Sequence, residues 1–399
     1  MIYPANFEEK IGFDRIREQV TALCSTPSAK AKLAEEGFST SADEIERRLS
    51  LMNEMRSLLM LERDFPDGDY PDPAPLVAKI RVEGSYLLAA EADQLRKALV
   101  TVGAIAEFIL GRGGARYPRL WELSRRVTLF PEIVRAIDAI LDDRGEVKDS
   151  ASPELQQVRR AIREREGQAA KRLQQVLQRA KQAGIVDADA VLSVRDGRPV
   201  IPVAAANKRK LQGFIHDESA TGRTFYVEPV EVVEINNELK ELEYAERREV
   251  VKVLSAFTES IRPDAEAIAD AGDYLSSVDM IRAKARWALA NDAGKPILST
   301  DDRLELRTAR HPLLQQTLRA QGREVVPLDL ALDRRKHILV ISGPNAGGKS
   351  VCLKTTGLMQ YLFQCGYPVP ASEVSELPVF RSIFIDIGDE QSIDDDLST

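Results

Sequence analysis

Cysteine is scarce: Cys24, Cys352 and Cys365 are the only three in 399 residues, and they stand far apart. A disulfide framework and a cysteine-rich zinc site both need closely paired thiols, so neither is expected, and a reducing, cytoplasmic setting fits best. Long apolar runs are missing too. No segment approaches the roughly 20 residues that span a bilayer. The opening Met1 to Arg15 stretch has no basic region followed by an apolar one, so export and membrane insertion are not expected. Nor is there an excess of positive charge. Lys plus Arg number 55 against 63 Asp plus Glu, a net charge of -8. Nonspecific binding of nucleic acid by the whole surface is thereby disfavoured, and any such contact must be local.

What the sequence does contain is the composition of a soluble, helix-rich protein, with 44% hydrophobic and 30% charged residues. A chain of this length outgrows one hydrophobic core, and roughly two to four domains are expected. From Asp14 to about Ile140 apolar residues recur at three and four spacing, with breaks at Pro66 to Pro75 and Gly111 to Tyr117. Ser41 followed by Glu44, with Ile45, Leu49 and Met52 beyond, reads as a capping box. Residues 1–150 are therefore expected to be a helical N-terminal region.

Residues 151–300 read as two long helices flanking a small β excursion. The first runs from Pro153 to about Gly184 and is interleaved with Arg159, Arg160, Arg163, Arg165, Lys171, Arg172, Arg179 and Lys181. Two readings of this basic stretch stand: a solvated face with local ion pairs to Glu164 and Glu166, or a stripe facing nucleic acid. Between about 191 and 227 the pattern shortens to β-like runs, with turns at Asp196-Gly197 and Thr221-Gly222 and the basic triplet Lys208-Arg209-Lys210 at a third. The second helix shows Val232, Ile235, Leu239 and Leu242 at heptad spacing, then a gap holding Glu246 and Glu249, then Val250, Leu254, Phe257 and Ile261. Seams this short and interrupted predict an antiparallel lever rather than a coiled-coil dimer.

The sharpest motif lies at Gly343-Pro-Asn-Ala-Gly-Gly-Lys-Ser350, which matches G-x-x-x-x-G-K-[ST] directly after the apolar run His337 to Ser342. Val351, Leu353, Leu358, Leu362 and Phe363 then supply a helix pattern, so strand, loop and helix are all expected. Gly343, Gly347 and Gly348 let backbone amides converge on phosphate oxygens, with Pro344, Asn345 and Ala346 completing the loop. Lys349 is expected between the β- and γ-phosphates of ATP, and the Ser350 hydroxyl on Mg²⁺. Hydrolysis also needs an apolar strand ending in an acidic residue for the metal. Ser382 to Ile387, with Asp386 and Asp389-Glu390, mimics that element superficially, but no complete catalytic set is found.

These residues, with Leu353 to Leu358, Asp386 to Ser392 and Leu397 to Thr399, resemble the MutS superfamily, and in particular its bacterial type-two branch. Matches outside the motif are Gly213 to Ser219, Val227 to Pro229, Asn236 to Leu239 and Ala309 to Leu313. The resemblance implies a multi-domain protein with a mainly α-helical core, lever helices and a small β insertion. A partial P-loop α/β ATPase domain of ABC type would follow over 301–399, cut before its Walker B strand. It further implies ATP and Mg²⁺ as cofactors, and Ser398 as a γ-phosphate contact made across a homodimer. DNA or the ribosome and its rRNA are the implied partners, and a C-terminal Smr nuclease domain, not expected in this stretch, belongs to the branch. A helical scaffold for nucleic acid or ribosomes with a vestigial nucleotide site is the alternative. An ATPase of the structural-maintenance type is disfavoured because the long helices precede the P-loop.

Overall fold

The computed structural model describes residues 1–195, 197–344 and 348–387. Its helices are α1 (Phe7–Ile11), α2 (Phe13–Ala22), α3 (Pro27–Glu35), α4 (Ala42–Leu61), α5 (Ala74–Ile80), α6 (Ala89–Gly111), α7 (Pro118–Ser124), α8 (Pro131–Ile140), α9 (Pro153–Gln182), α10 (Val230–Ile261), α11 (Ala265–Ala290), α12 (Pro312–Ala320) and α13 (Lys349–Gln364). The strands are β1 (Ile2–Tyr3), β2 (Ser193–Arg195), β3 (Arg198–Ala204), β4 (Gly213–Glu218), β5 (Thr224–Pro229), β6 (Ile297–Leu298), β7 (Leu304–Ala309), β8 (Leu328–Leu332), β9 (Glu376–Leu377) and β10 (Ile383–Phe384). The molecule is mainly helical with small sheets, as its periodicity predicts, and divides into two compact units.

Local chemistry sets many of the helix starts. Proline occupies the first turn of α3, α7, α9 and α12, where a missing N–H costs nothing. Thr26 caps α3 by accepting from Ala29 N, and Ser152 caps α9 by accepting from Leu155 N. At α4 only half of the expected capping box forms. Ser41 Oγ accepts from Glu44 N at 3.4 Å, whereas the Glu44 carboxylate turns to Arg47 and Arg48. Charge-assisted bonds to two guanidiniums outcompete a single neutral amide, and they hold the Glu44 carboxyl down at about 2.

The first unit draws on three stretches of chain, 1–78, 94–131 and 264–399. Helix α11 runs through it, buried around most of its circumference from Ala265 to Ala288. Charges travel into the interior with it, and each is compensated. Arg282 pairs with Asp279 at 2.8 Å, Asp279 also accepts from Thr26 N and Oγ1, and Lys284 meets Glu36 and the Gly366 carbonyl. Removing one partner of such a pair would leave an uncompensated buried charge. One core cluster gathers Phe7, Ile11, Phe13, Trp287, Leu358, Leu362 and Phe363, so the first helices of the chain pack against α13 near the other end. Two sheets complete the unit: a mixed one ordered β6-β9-β7-β8, and the parallel pair β1-β10.

The second unit comprises 79–93 and 132–263. Helices α9 and α10 pack along each other, and the pairs Arg159–Glu246 at 2.7 Å and Arg165–Glu238 at 2.9 Å fix their directions as antiparallel. The antiparallel pairing is the one the interrupted seams predict, with Glu246 bound across the seam rather than breaking it. Between the helices lies a four-stranded antiparallel sheet ordered β2-β3-β5-β4. Ile201, Val203 and Val227 point from one of its faces into Leu173, Val176 and Leu177 of α9.

Candidate nucleotide site

Gly348 stands at the head of α13 with φ of 76°, a left-handed conformation that glycine adopts without the Cβ strain other residues meet. From it α13 runs for 16 residues, and Cys352 N donates back to the Gly348 carbonyl at 2.9 Å. The first-turn amides and the positive end of the helix dipole therefore face the loop. The Lys349 ammonium turns back and donates to the carbonyls of Gly343, at 2.7 Å, and Pro344. Gly343, Pro344 and Gly348 are exposed, and Lys349 and Ser350 are half-buried. Asn345, Ala346 and Gly347 lie outside the described residues, as do Asp389, Glu390 and Ser398. The described part fits a phosphate and its cation. A glycine cap opens the helix end, a lysine reaches across it, and among the described residues nothing stands within 4 Å of where a Cβ would sit on Gly343 or Gly348.

The expected strand before the loop is not formed. Residues 337–342 are unpaired, and Ile338 and Val340 are 76% and 84% exposed. A buried strand exists only through hydrogen-bonded neighbours on its flanks, and no described strand lies beside this one. Leu353, read as an apolar helix position, is also exposed, whereas Leu358, Leu362 and Phe363 are buried as expected. An open cleft of about 520 Å³ stands here, walled by Leu353, Thr356, Gly357 and Gln360 of α13 on one side and by Ile383 to Asp386 on the other. The look-alike acidic strand forms the second wall. Its residues Ile383 and Phe384 pair in parallel with Ile2 and Tyr3, a partner that nothing local in the sequence announces.

The match at Ala309 to Leu313 places His311 in the interior, 2% exposed, with Nε2 3.3 Å from the Ile11 carbonyl. Burial is the main force that lowers its pKa, aided by the charges of Lys354 and Arg15 against that hydrogen bond, to about 4. The imidazole is therefore neutral at pH 7, with Nε2–H donating, and its buried Nδ1 has no hydrogen-bond partner among the described residues.

In the second unit the remaining matches converge on one side chain. Glu228, 1% exposed, accepts from Arg198 at 2.9 Å, from Asn236 at 2.6 Å and from His216 at 2.5 Å. Burial alone raises its pKa, but the bonds from Asn236, His216 and Arg198 outweigh it and hold the carboxyl below the usual range. Residues from β3, β4, β5 and α10 are thus tied at the junction of sheet and lever. As sequence these motifs stand apart with no place assigned to them; their long separations become contacts only once the sheet is folded.

The basic stretch of α9 divides along its length. Arg159 and Arg163 bind Asp149, Arg160 binds Glu164, and Arg165 binds Glu238. Lys171, Arg172 and Arg179 remain exposed farther along. Asn207 Nδ2 donates to the Ile185 carbonyl and Ala205 N to the Arg223 carbonyl. These two bonds bring the Lys208-Arg209-Lys210 turn and Arg223 to the same end of the sheet as Arg179. Within the turn, Lys208 sits over the Phe225 ring at 4.3 Å.

Comparison with known proteins matches residues 339–399 to the family model MutS domain V. Endonuclease MutS2 of Bacillus velezensis is 34% identical over 389 residues, which cover 97% of this chain and 48% of that protein. The chain belongs to the MutS2 family. Endonuclease MutS2 of Pelotomaculum thermopropionicum is 34% identical over 391 residues, and that of Thermomicrobium roseum 36% over 400. The chain spans about half the length of these curated MutS2 relatives, 48% and 49% of the latter two. No helix among the described residues is long and apolar enough to cross a membrane.

Proposed function

We propose that this MutS2-family chain binds ATP with Mg²⁺ at the head of α13 and engages DNA through the exposed cations of its second unit, as the nucleotide- and DNA-binding part of a MutS-like protein. The observation that carries the reading is the left-handed Gly348 cap, with Lys349 lying across the opening it leaves. When bound, Mg²⁺ would neutralise the phosphate oxygens, and the Ser350 hydroxyl would hold it. Lys349 would exchange the carbonyls of Gly343 and Pro344 for phosphate, and the helix dipole adds to the attraction. Within this reading Ser398 contacts the γ-phosphate across a homodimer. Hydrolysis would need an acidic strand as well, and residues 337–342 would become a strand when partners flank them. The name endonuclease carried by the relatives is attributed to a separate nuclease domain, and a ribosomal or rRNA target falls under the same proposal as DNA.

Titration with a fluorescent ATP analogue tests the site. Lys349→Ala is expected to weaken binding at least about tenfold, because a charge-assisted bond to phosphate is removed, and an unchanged affinity would remove the assignment. The unpaired 337–342 segment favours one second reading, a nucleic-acid scaffold with a vestigial nucleotide site. Saturable DNA binding by a chain that shows no nucleotide binding at millimolar ATP would select it.

A further inference from the structure

The first eleven residues of the chain touch both walls of the cleft beside the candidate nucleotide site. On the β10 side, Ile383 N donates to the Met1 carbonyl at 3.1 Å and Ile385 N to the Tyr3 carbonyl at 3.0 Å. Beyond the strand, Lys10 Nζ donates to the Ile387 carbonyl at 2.8 Å, the last described residue before the stretch that holds Ser398. On the α13 side, Glu8 Oε1 accepts from Tyr361 Oη and pairs with Arg17, both at 2.6 Å. Phe7 packs tilted and Phe13 edge-on against the same tyrosine, with ring centroids 5.1 and 4.9 Å away. The two sides meet at Gly357, where a Cβ would find Ile11 Cγ2 and Ile385 Cδ1 each at 3.7 Å.

We propose that residues Ile2 to Ile11 act as a strap that fixes α13 against β10, with Lys10 and Glu8 as positioning residues for the phosphate-binding end of α13. Each wall alone is weakly held at the cleft. Strand β10 is two residues long, and its one bonded neighbour among the described strands is β1. The first turns of α13, from Lys349 to Leu353, are exposed or half-buried. Gln360 and Gln364 of α13 bond the backbone of Pro378 and Phe380 directly, ahead of β10; at β10 itself and at Gly357 the bridge is α1 with its flanking strand. Because α1 belongs to the same core cluster as Phe13, Trp287 and Ala283, movement in the helical core and a bound anion at α13 act on one linked set of contacts. Linkage of that kind runs both ways. This consequence for the site rests on the nucleotide reading above; the strap itself does not.

Hydrogen exchange and nucleotide titration on the whole chain, with Lys10→Met, Lys10→Arg and Glu8→Ala, separate the two. Lys10→Met is expected to speed exchange at Ile383 to Ile385 about tenfold and to weaken a fluorescent ATP analogue about threefold, while Lys10→Arg stays near the parent and amides in α3 and α6 are unchanged. Glu8→Ala should loosen the Tyr361 end of α13 in the same selective way. Exchange that does not change at β10, or that rises evenly through the first unit as a plain loss of stability, overturns the strap. Local loosening with unaltered nucleotide affinity overturns its link to the site. Local loosening in a chain that never binds nucleotide supports the strap and sinks the nucleotide reading instead.

Discussion

Single side chains carry the clearest physical consequences, and His311 is the sharpest case. In the folded chain its pKa is depressed to about 4 by burial, whereas an exposed histidine titrates near 6.5. Between those values the unfolded chain binds the extra proton and the folded one refuses it, so stability present above pH 6.5 is lost as the pH falls toward 4. A shift of that size corresponds to on the order of 3 kcal/mol. Replacing the imidazole with an amide removes the titration, so His311→Asn should lower stability at pH 7 yet flatten its fall between pH 7 and 4.5. Urea unfolding at a series of pH values measures both, and parallel curves for parent and variant would contradict the depressed pKa. The same scale shows what a sequence can and cannot reveal. Ala309 to Leu313 stands out as a motif, but that His311 sits under the Ile11 carbonyl, 300 positions earlier, follows only from the packing of α1 on the rest of the core.

At the scale of elements, short-range chemistry was legible and long-range pairing was not. The Ser41 helix start, the four β runs between 191 and 227, and the antiparallel pairing of the two long helices all follow from periodicity and turn residues within a few positions of one another. The strand expected at 337–342 failed for the opposite reason: its apolar run is real, but a strand needs neighbours, and none of the described ones pairs with it. Likewise β1 is two residues long and carries no local signal, since its partner lies some 380 positions away. Gly213 shows how a motif residue can be explained once the sheet is present. It opens β4 opposite Pro229, and a Cβ there would lie 2.1 Å from the Glu228 carbonyl oxygen, a backbone atom that cannot step aside. Gly213→Ala is therefore expected to cost about 2 kcal/mol or more and to part β4 from β5. A denaturation midpoint unchanged within error, with the amides of β4 still protected from exchange, would contradict that close approach.

For the molecule as a whole, charge decides where nucleic acid can bind. A net charge of -8 repels a polyanion at long range, so affinity must come from a patch where cations outnumber their partners. The proximal arginines of α9 are spent on Asp149, Glu164, Glu238 and Glu246, and those pairs would have to break before a phosphate could take their place. Toward the far end the balance changes. Lys171, Arg172 and Arg179 are exposed, and Arg209 and Arg223 are brought to the same end of the sheet as Arg179. The proposed DNA contact is therefore confined to that end, and two charge reversals distinguish the halves. Arg172→Glu with Arg179→Glu should weaken binding to a short duplex at least about tenfold at low salt, and should reduce the slope of log affinity against log salt by roughly two, one for each cation withdrawn from a phosphate. Arg160→Glu with Arg163→Glu should change the affinity less than about threefold, because those side chains are already engaged. Equal weakening by the two reversals would mean that DNA follows the whole helix, and a salt-independent affinity would remove phosphate binding from the mechanism altogether.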